Sequence, residues 1–220
     1  MKIISYNIHS GKNSWFVPQL YRIIRFLNME NATVIGVQEI NENNKRGKQA
    51  TSLSIQLDMD YHFGPNLSFG NGHYGIASYT SLPILERNHI LLPSKKEQRG
   101  LLDTIVEYRQ RKVHILNTHL GLAKEDRQEQ FQYIENYLKQ LTSPYILLGD
   151  FNTTQPLFTD IPLIDTAKEM SKEHQSTLML SKKRIDYIFV SKEFKVTSYR
   201  VIPVNMSDHY PIEVEVEFNN

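Results

Sequence analysis

The stretch Tyr145-Ile146-Leu147-Leu148-Gly149-Asp150-Phe151-Asn152 decides how the chain is read. Its first four residues form an apolar run of the kind that builds a strand buried on both faces. Gly149 lets the backbone bend or pass close to a neighbour. Asp150 and Asn152 follow two apart, a spacing that in a strand points both side chains the same way. A carboxylate and an amide at the mouth of a core strand are costly to bury unless something satisfies them. A hydrolytic site built round a cation and a phosphate would do so.

Just upstream, Phe131, Ile134, Leu138 and Leu141 mark an amphipathic helix that ends before Pro144. Residues 75–79, 84–92, 101–108 and 112–118 read as successive strands, with Gln110-Arg111 at a hairpin tip. The glycines and proline of residues 61–75 predict turns between short strands. Near the N-terminus, residues 3–8 predict a strand, and Val17, Leu20, Tyr21, Ile24 and Leu27 a helix capped by Asn13 or Ser14. Residues 33–39 predict a strand closing on Glu39. A polar loop over 41–49 then leads into a helix carrying Ala50, Leu53 and Leu57. Downstream, 153–180 reads as loop with some helical character at 166–174, and 184–190, 196–203 and 211–218 read as strands. No repeat or linker interrupts the pattern, so one domain over residues 1–220 is expected.

Composition narrows the function classes. Of 220 residues, 40% are hydrophobic and 22% charged, as in an ordinary water-soluble globular chain. A formal net charge of +1 makes no case for a broad nucleic-acid footprint, although it allows a local basic groove. The chain has no cysteine, which excludes disulfides, thiolate zinc sites and a cysteine nucleophile. No apolar run is long enough to span a bilayer, and residues 1–6 enter a strand pattern that lacks a signal-peptide core. A soluble, cytoplasmic monomer is expected.

The polar residues fall at strand ends. Four apolar runs end in Asn7, in Glu39, in Asn117 with His119, and in Asp150 with Asn152; two others begin at Asp186 and at Asp208-His209. If the second group runs antiparallel to the first, all of these meet at one rim. So many acids would repel unless a cation neutralised some of them. An oxygen-rich set without cysteine suits Mg²⁺ or Mn²⁺ better than zinc. Each residue alone has an ordinary structural role open to it: turn former, strand start or solvated loop. Their shared placement is what favours a site.

The stretches Ser5-Tyr6-Asn7, Val37-Gln38-Glu39, Gly75-Ile76-Ala77-Ser78, Asn117-Thr118-His119-Leu120, Leu148-Gly149-Asp150-Phe151-Asn152, Arg184-Ile185-Asp186-Tyr187 and Ser207-Asp208-His209-Tyr210-Pro211-Ile212 resemble, in order, the endonuclease/exonuclease/phosphatase superfamily. The resemblance implies a DNase I-like α/β fold. This is a four-layer sandwich of two mainly antiparallel sheets packed face to face, with helices outside. It implies a Mg²⁺-dependent phosphoesterase, with Mn²⁺ as a possible substitute and the number of ions left open. Glu39 resembles the principal metal ligand, with Asn7 and Asp208 binding directly or through water. Asp150 resembles the residue that orients or deprotonates the attacking water, and Asn152 the amide that holds it or a phosphate oxygen. His209 resembles the histidine on the scissile phosphate, with Asp186 fixing its tautomer. His119 resembles a second phosphate ligand.

The substrate stays open between nucleic acid and a small or lipid phosphoester. His119 stands where the abasic-site repair branch has tyrosine, which counts against that activity. Arg99 and His9 are candidate substrate contacts. Lys45, Arg46 and Lys48, and Lys182, Lys183 and Arg184, form two small basic clusters flanking the expected cleft. The alternative is a non-catalytic phosphate-binding module on the same scaffold, which should have lost Glu39, Asp150 or His209.

Overall fold

The computed structural model describes residues 1–219. In chain order the strands are β1 (Lys2–Asn7), β2 (Val34–Asn43), β3 (Gly47–Lys48), β4 (Asp60–Ser68), β5 (His73–Thr80), β6 (Ile84–Leu92), β7 (Arg99–Tyr108), β8 (Arg111–His119), β9 (Tyr145–Asp150), β10 (Ile164–Asp165), β11 (Asp186–Val190), β12 (Phe194–Val201) and β13 (Ile212–Phe218). The helices are α1 (Leu20–Glu30), α2 (Gln49–Leu57), α3 (Lys124–Leu138) and the short α4 (Thr166–Glu169).

Strand periodicity builds the layers. Side chains alternate across a sheet, so Ile3, Val34, Ile146 and Leu148 enter the core between the sheets while their neighbours Ile4, Ile35 and Leu147 face outward. On the first sheet the outward set packs with Ile23 and Leu27 of α1 and Ala50 and Leu53 of α2. On the second it packs with Phe131, Ile134 and Leu138 of α3. The result is helices, sheet, sheet, helix. The first sheet runs β12-β13-β1-β2-β5-β4 with β3 on β2, and the second β10-β11-β9-β8-β7-β6. Each has one parallel pair at its centre, β1 with β2 and β8 with β9; the other pairings are antiparallel. Gly149 is required where β9 meets β8: its φ is +145°, and a Cβ there would strike the Thr118 carbonyl.

Several local expectations are corrected. β2 does not close on Glu39. It bulges there, with Glu39 at φ +59°, and resumes pairing with β5 as far as Glu42. Residues 61–75 hold one turn between two longer strands, because β4 runs through Gly64 and Pro65 to Ser68, with an irregularity beyond Pro65 that lets the exposed proline sit in an edge strand. α1 begins at Leu20 behind Gln19 with no side-chain cap. Asn13 instead closes the preceding loop, accepting the amides of Trp15 and Val17 at 3.0 Å each on its Oδ1. The β7–β8 tip is Arg109-Gln110, both left-handed, one residue before the expected pair. Among the described residues no helix is long and apolar enough to cross a membrane.

Candidate active site

The antiparallel pairing of β11 with β9 sets Asp186 opposite Asp150, and the parallel pairing of β8 with β9 sets His119 beside the same residue. In the first sheet β1 ends at Asn7 next to Gln38, one residue before Glu39. Asp208 and His209 lie on the segment leading into β13, whose antiparallel pairing with β1 returns them to the same end. The predicted rim is therefore formed.

Asp150 is its centre. Asn7 Nδ2 donates to Asp150 Oδ2 at 3.0 Å and to Glu39 Oε1 at 3.1 Å, so one amide joins the carboxylates of the two sheets. His119 Nε2 lies 3.5 Å and His209 Nε2 3.7 Å from the same Asp150 oxygen. The backbone N–H of Asn152 donates to Asp150 Oδ1 at 2.9 Å. His209 Nδ1 contacts both Asp186 oxygens, at 3.2 and 2.9 Å. Ser207 Oγ donates to the Asn7 carbonyl at 2.8 Å and lies 3.1 Å from Asp208 Oδ1. Asp208 is the most open of these acids, with His9 Nδ1 at 3.7 Å.

Strand spacing does not carry Asn152. β9 ends at Asp150, and Asn152 is left-handed at φ +51° with Nδ2 donating to the Leu120 carbonyl at 2.9 Å. It reaches the site through a turn closed on Asp150. Asn117 lies behind the rim, fully buried, bonding the Ala77 and Val37 carbonyls at 2.8 and 3.3 Å and so tying one sheet to the other. Arg99 is not at the surface: it is 4% exposed, with Nη1 3.2 Å from His119 Nδ1 and 2.9 Å from Glu97 Oε1. Tyr74 was not singled out by sequence; it lines the same cleft as Glu39, and no residue pattern around it marks that placement.

The electrostatics split the two histidines. Burial opposes the charge on His209, but Asp186, Asp150 and Asp208 outweigh it and push the pKa up to about 10. Burial, then Arg99 and His209, hold His119 well below the ordinary histidine range. One ring is thus imidazolium at neutral pH and the other is neutral. Burial and the Asp186 charge raise the Asp150 carboxyl to about 7, against the pull of His209 and its hydrogen bonds. Left-handed backbone at His9, Ser10, Glu39 and Asn152 marks the same rim, as is common where a site overrides local preference.

The donors suit a hard cation. Glu39 and Asp208 offer carboxylate oxygens on the partly exposed side of the rim; Asn7, fully buried, turns its Nδ2 to Glu39 and Asp150, and its Oδ1, which accepts the His9 N–H at 3.0 Å, is the atom it would give an ion. A second group, Asp150, Asp186 and His209, brings one donor atom each within 4.8 Å of the others. It suits an ion less well, because Asp186 is committed to His209 and a protonated ring has no lone pair to give. Beside Glu39 opens a cleft of about 350 Å³, lined by His9, Lys12, Phe16, Arg46, Phe69 and Tyr74 among others.

The model of the Endonuclease/Exonuclease/phosphatase family matches residues 4–209. The uncharacterized protein YbhP of Escherichia coli K12 is 24% identical, over 98% of this chain and 95% of its own. Among solved structures, a mannosyl-6-phosphatase of Bacteroides thetaiotaomicron VPI-5482 superposes with a TM-score of 0.82 at 22% identity, covering 99% of this chain and 100% of that one. The Danio rerio TDP2 in complex with a single-strand DNA product superposes with a TM-score of 0.80 at 17% identity, covering 99% and 98%.

Proposed function

The chain belongs to the endonuclease/exonuclease/phosphatase family, and from that membership we propose that it is a Mg²⁺-dependent phosphoesterase, with Mn²⁺ as a substitute, hydrolysing a phosphodiester or phosphomonoester by in-line attack of water. The observation that carries this reading is the meeting of Asn7, Glu39, His119, Asp150 and His209, from both sheets, in one cluster about the Asp150 carboxylate, with the Asn7 amide bonding the two acids and both imidazoles within 3.7 Å of Asp150. Asn7, Glu39 and Asp208 would hold the ion. Bound there, it supplies charge neutralisation at the phosphoryl oxygens and a more acidic water.

The protein's own groups do the rest. Asp150 takes the proton from the attacking water, and its raised pKa suits a base that works near neutrality. Asn152 fixes that carboxylate through its backbone N–H and has a second amide hydrogen for the water or a phosphate oxygen. His209, kept charged by Asp186, turns its Nε2–H to the phosphate and stabilises negative charge as it grows. Arg99 donates to His119 Nδ1, which leaves the single ring proton of His119 on Nε2, on the side of Asp150. His119 then binds a second phosphate oxygen and stands ready to assist the leaving group.

The substrate is nucleic acid or a small or lipid phosphoester, with its ester substituent in the cleft beside Glu39. Turnover of bis(p-nitrophenyl) phosphate tests the reading. Activity should require Mg²⁺ or Mn²⁺, vanish with chelator and vanish in His209→Ala. A folded wild-type protein without activity on any phosphoester, with either metal, would favour the non-catalytic alternative.

A further inference from the structure

Large apolar side chains gather at the edge of the cleft, one of them, Phe16, also lining it, and stand largely uncovered. Trp15 is 82% exposed, Phe16 68% and Leu180 82%, with Val17 beside the first two. They lie on two loops that touch, since Ser14 Oγ is 3.4 Å from Met179 Sδ. Both loops are fastened to the site. The Phe16 ring lies 5.4 Å from that of His9, while Met179 N donates to the Asp208 carbonyl at 2.9 Å and Leu178 bridges His209.

The loop over 12–18 is rigid rather than loose. The amides of Trp15 and Val17 donate to Asn13 Oδ1, that of Phe16 to the Asn13 carbonyl at 2.9 Å, and that of Asn13 to the Val17 carbonyl at 3.0 Å. Pro18 has no N–H, so residues 15–18 present no unsatisfied backbone donor. Phe16 is held at φ +60°, an outlier for a bulky residue, with its ring against His9 and still largely exposed. A tip of this kind, apolar and with its N–H donors closed internally, leaves few polar groups to desolvate on entering a headgroup layer. Cations stand in both loops: exposed Lys182 and Lys183, just after Leu180, in one, and half-buried Lys12 in the other.

We propose that residues 15–17 and Leu180 form a seat for a membrane surface carrying anionic phospholipid. The apolar tips enter the headgroup region, the lysines meet lipid phosphates, and the cleft takes its phosphoester from the bilayer. The docking stands independently, whereas the choice of substrate rests on the phosphoesterase reading. Aliphatic Val17 and Leu180 favour lipid over stacked bases, which call for aromatic platforms along a basic groove.

Trp15 is the only tryptophan in the chain, so its emission reports the tip directly. The full chain, with chelator, is titrated with vesicles of phosphatidylcholine and phosphatidylglycerol in equal parts. Emission should shift to the blue and be quenched by lipid brominated in its acyl chains. Leu180→Ser should weaken binding by roughly 10-fold or more, as loss of one buried leucine implies. Replacing Lys182 and Lys183 with serine should remove most of the preference for anionic vesicles. Hydrolysis of bis(p-nitrophenyl) phosphate should be unchanged in Trp15→Ser and Leu180→Ser, while phosphate-ester cleavage in vesicles falls in both. Unshifted emission at saturating lipid overturns the docking. So does a shift that needs only higher protein concentration, or one produced by a single-stranded oligonucleotide and not by vesicles. Equal vesicle cleavage by wild type and both variants overturns the substrate assignment. A wild-type protein that binds vesicles but hydrolyses nothing defeats the phosphoesterase reading and leaves the docking intact.

Discussion

Each sheet brings the ends of its one parallel pair to the cleft, and the two pairs end in different chemistry. β1 and β2 deliver Asn7 and Glu39, oxygen donors, through a bulge and a left-handed residue. β8 and β9 deliver His119 and Asp150 in register, buried, and backed by Arg99. The flanking antiparallel strands repeat the contrast: half-exposed Asp208 precedes β13, and fully engaged Asp186 opens β11. The first half, with the carboxylates of Glu39 and part-exposed Asp208, suits an ion that exchanges with water. The closed half, with its tautomers fixed by hydrogen bonds, suits proton transfer. His209 crosses between them, joined to the first sheet by sequence and to the second by Asp186.

The strongest way to break this comparison is to damage each half and see which parameter moves. Asp150→Asn should lower kcat by about 10³-fold or more, since base and positioning are lost together, and leave folding intact. A variant within tenfold of wild type by steady-state kinetics would remove Asp150 from its role. Glu39→Gln should act mainly on the metal requirement. The Mg²⁺ concentration for half-maximal rate should rise by more than ~100-fold, beyond what a merely supporting group costs.

Arg99 sharpens the contrast within the second half. Arg99→Met removes the donor to His119 Nδ1 and the cation that depresses its pKa. The rate should fall by ~10–100-fold, within the range of a general acid–base or electrostatic contribution. The titration of the His119 ring, followed by NMR, should move to higher pH, because the ring then takes up its second proton more easily; the acid limb of kcat, set by Asp150, should move less. Arg99→Lys, which keeps the charge, should hold the His119 titration nearer its original place. An unmoved His119 titration in Arg99→Met would leave arginine with only a packing role.

Two bonds between the halves give smaller effects, on stability. Asn117→Ala leaves the Ala77 carbonyl and the Gln38 amide without their partner, and should lower unfolding free energy by ~2–3 kcal/mol in urea titration. His62, in the first sheet, lies 3.0 Å from Thr104 Oγ1 in the second and is buried, which with Arg87 and His89 lowers its pKa to about 4. The folded state therefore favours the neutral ring. Its contribution is whole above the ordinary histidine pKa and is lost as pH falls from there towards about 4. His62→Asn should show a flatter fall of Tm across that window than wild type.

The rim was legible because its residue types are out of place: acids, amides and imidazoles at the ends of apolar strands have few inexpensive homes. The strands and their covering helices were legible from apolar runs and helical spacing, as in residues 145–148 and 131–141, whereas the four-layer arrangement came from the family resemblance. What sequence could not give were features set by partners far along the chain. The bulge at Glu39 comes from where β5 resumes pairing, and nothing within residues 33–43 marks it. Arg99 looks like a surface residue until His119 and Glu97 close over it. Asn13 has the right type for a helix cap, yet a tight loop takes its oxygen first.

Calorimetric titration of Mn²⁺ into the wild type, Glu39→Gln and Asp150→Asn tests the division between the halves most directly. If the ion belongs to Asn7, Glu39 and Asp208, binding is lost in Glu39→Gln and stays within a fewfold of wild type in Asp150→Asn. If instead Asp150→Asn abolishes binding while Glu39→Gln keeps it, the ion sits among Asp150, Asp186 and His209, and the assignment of the two sheets is wrong.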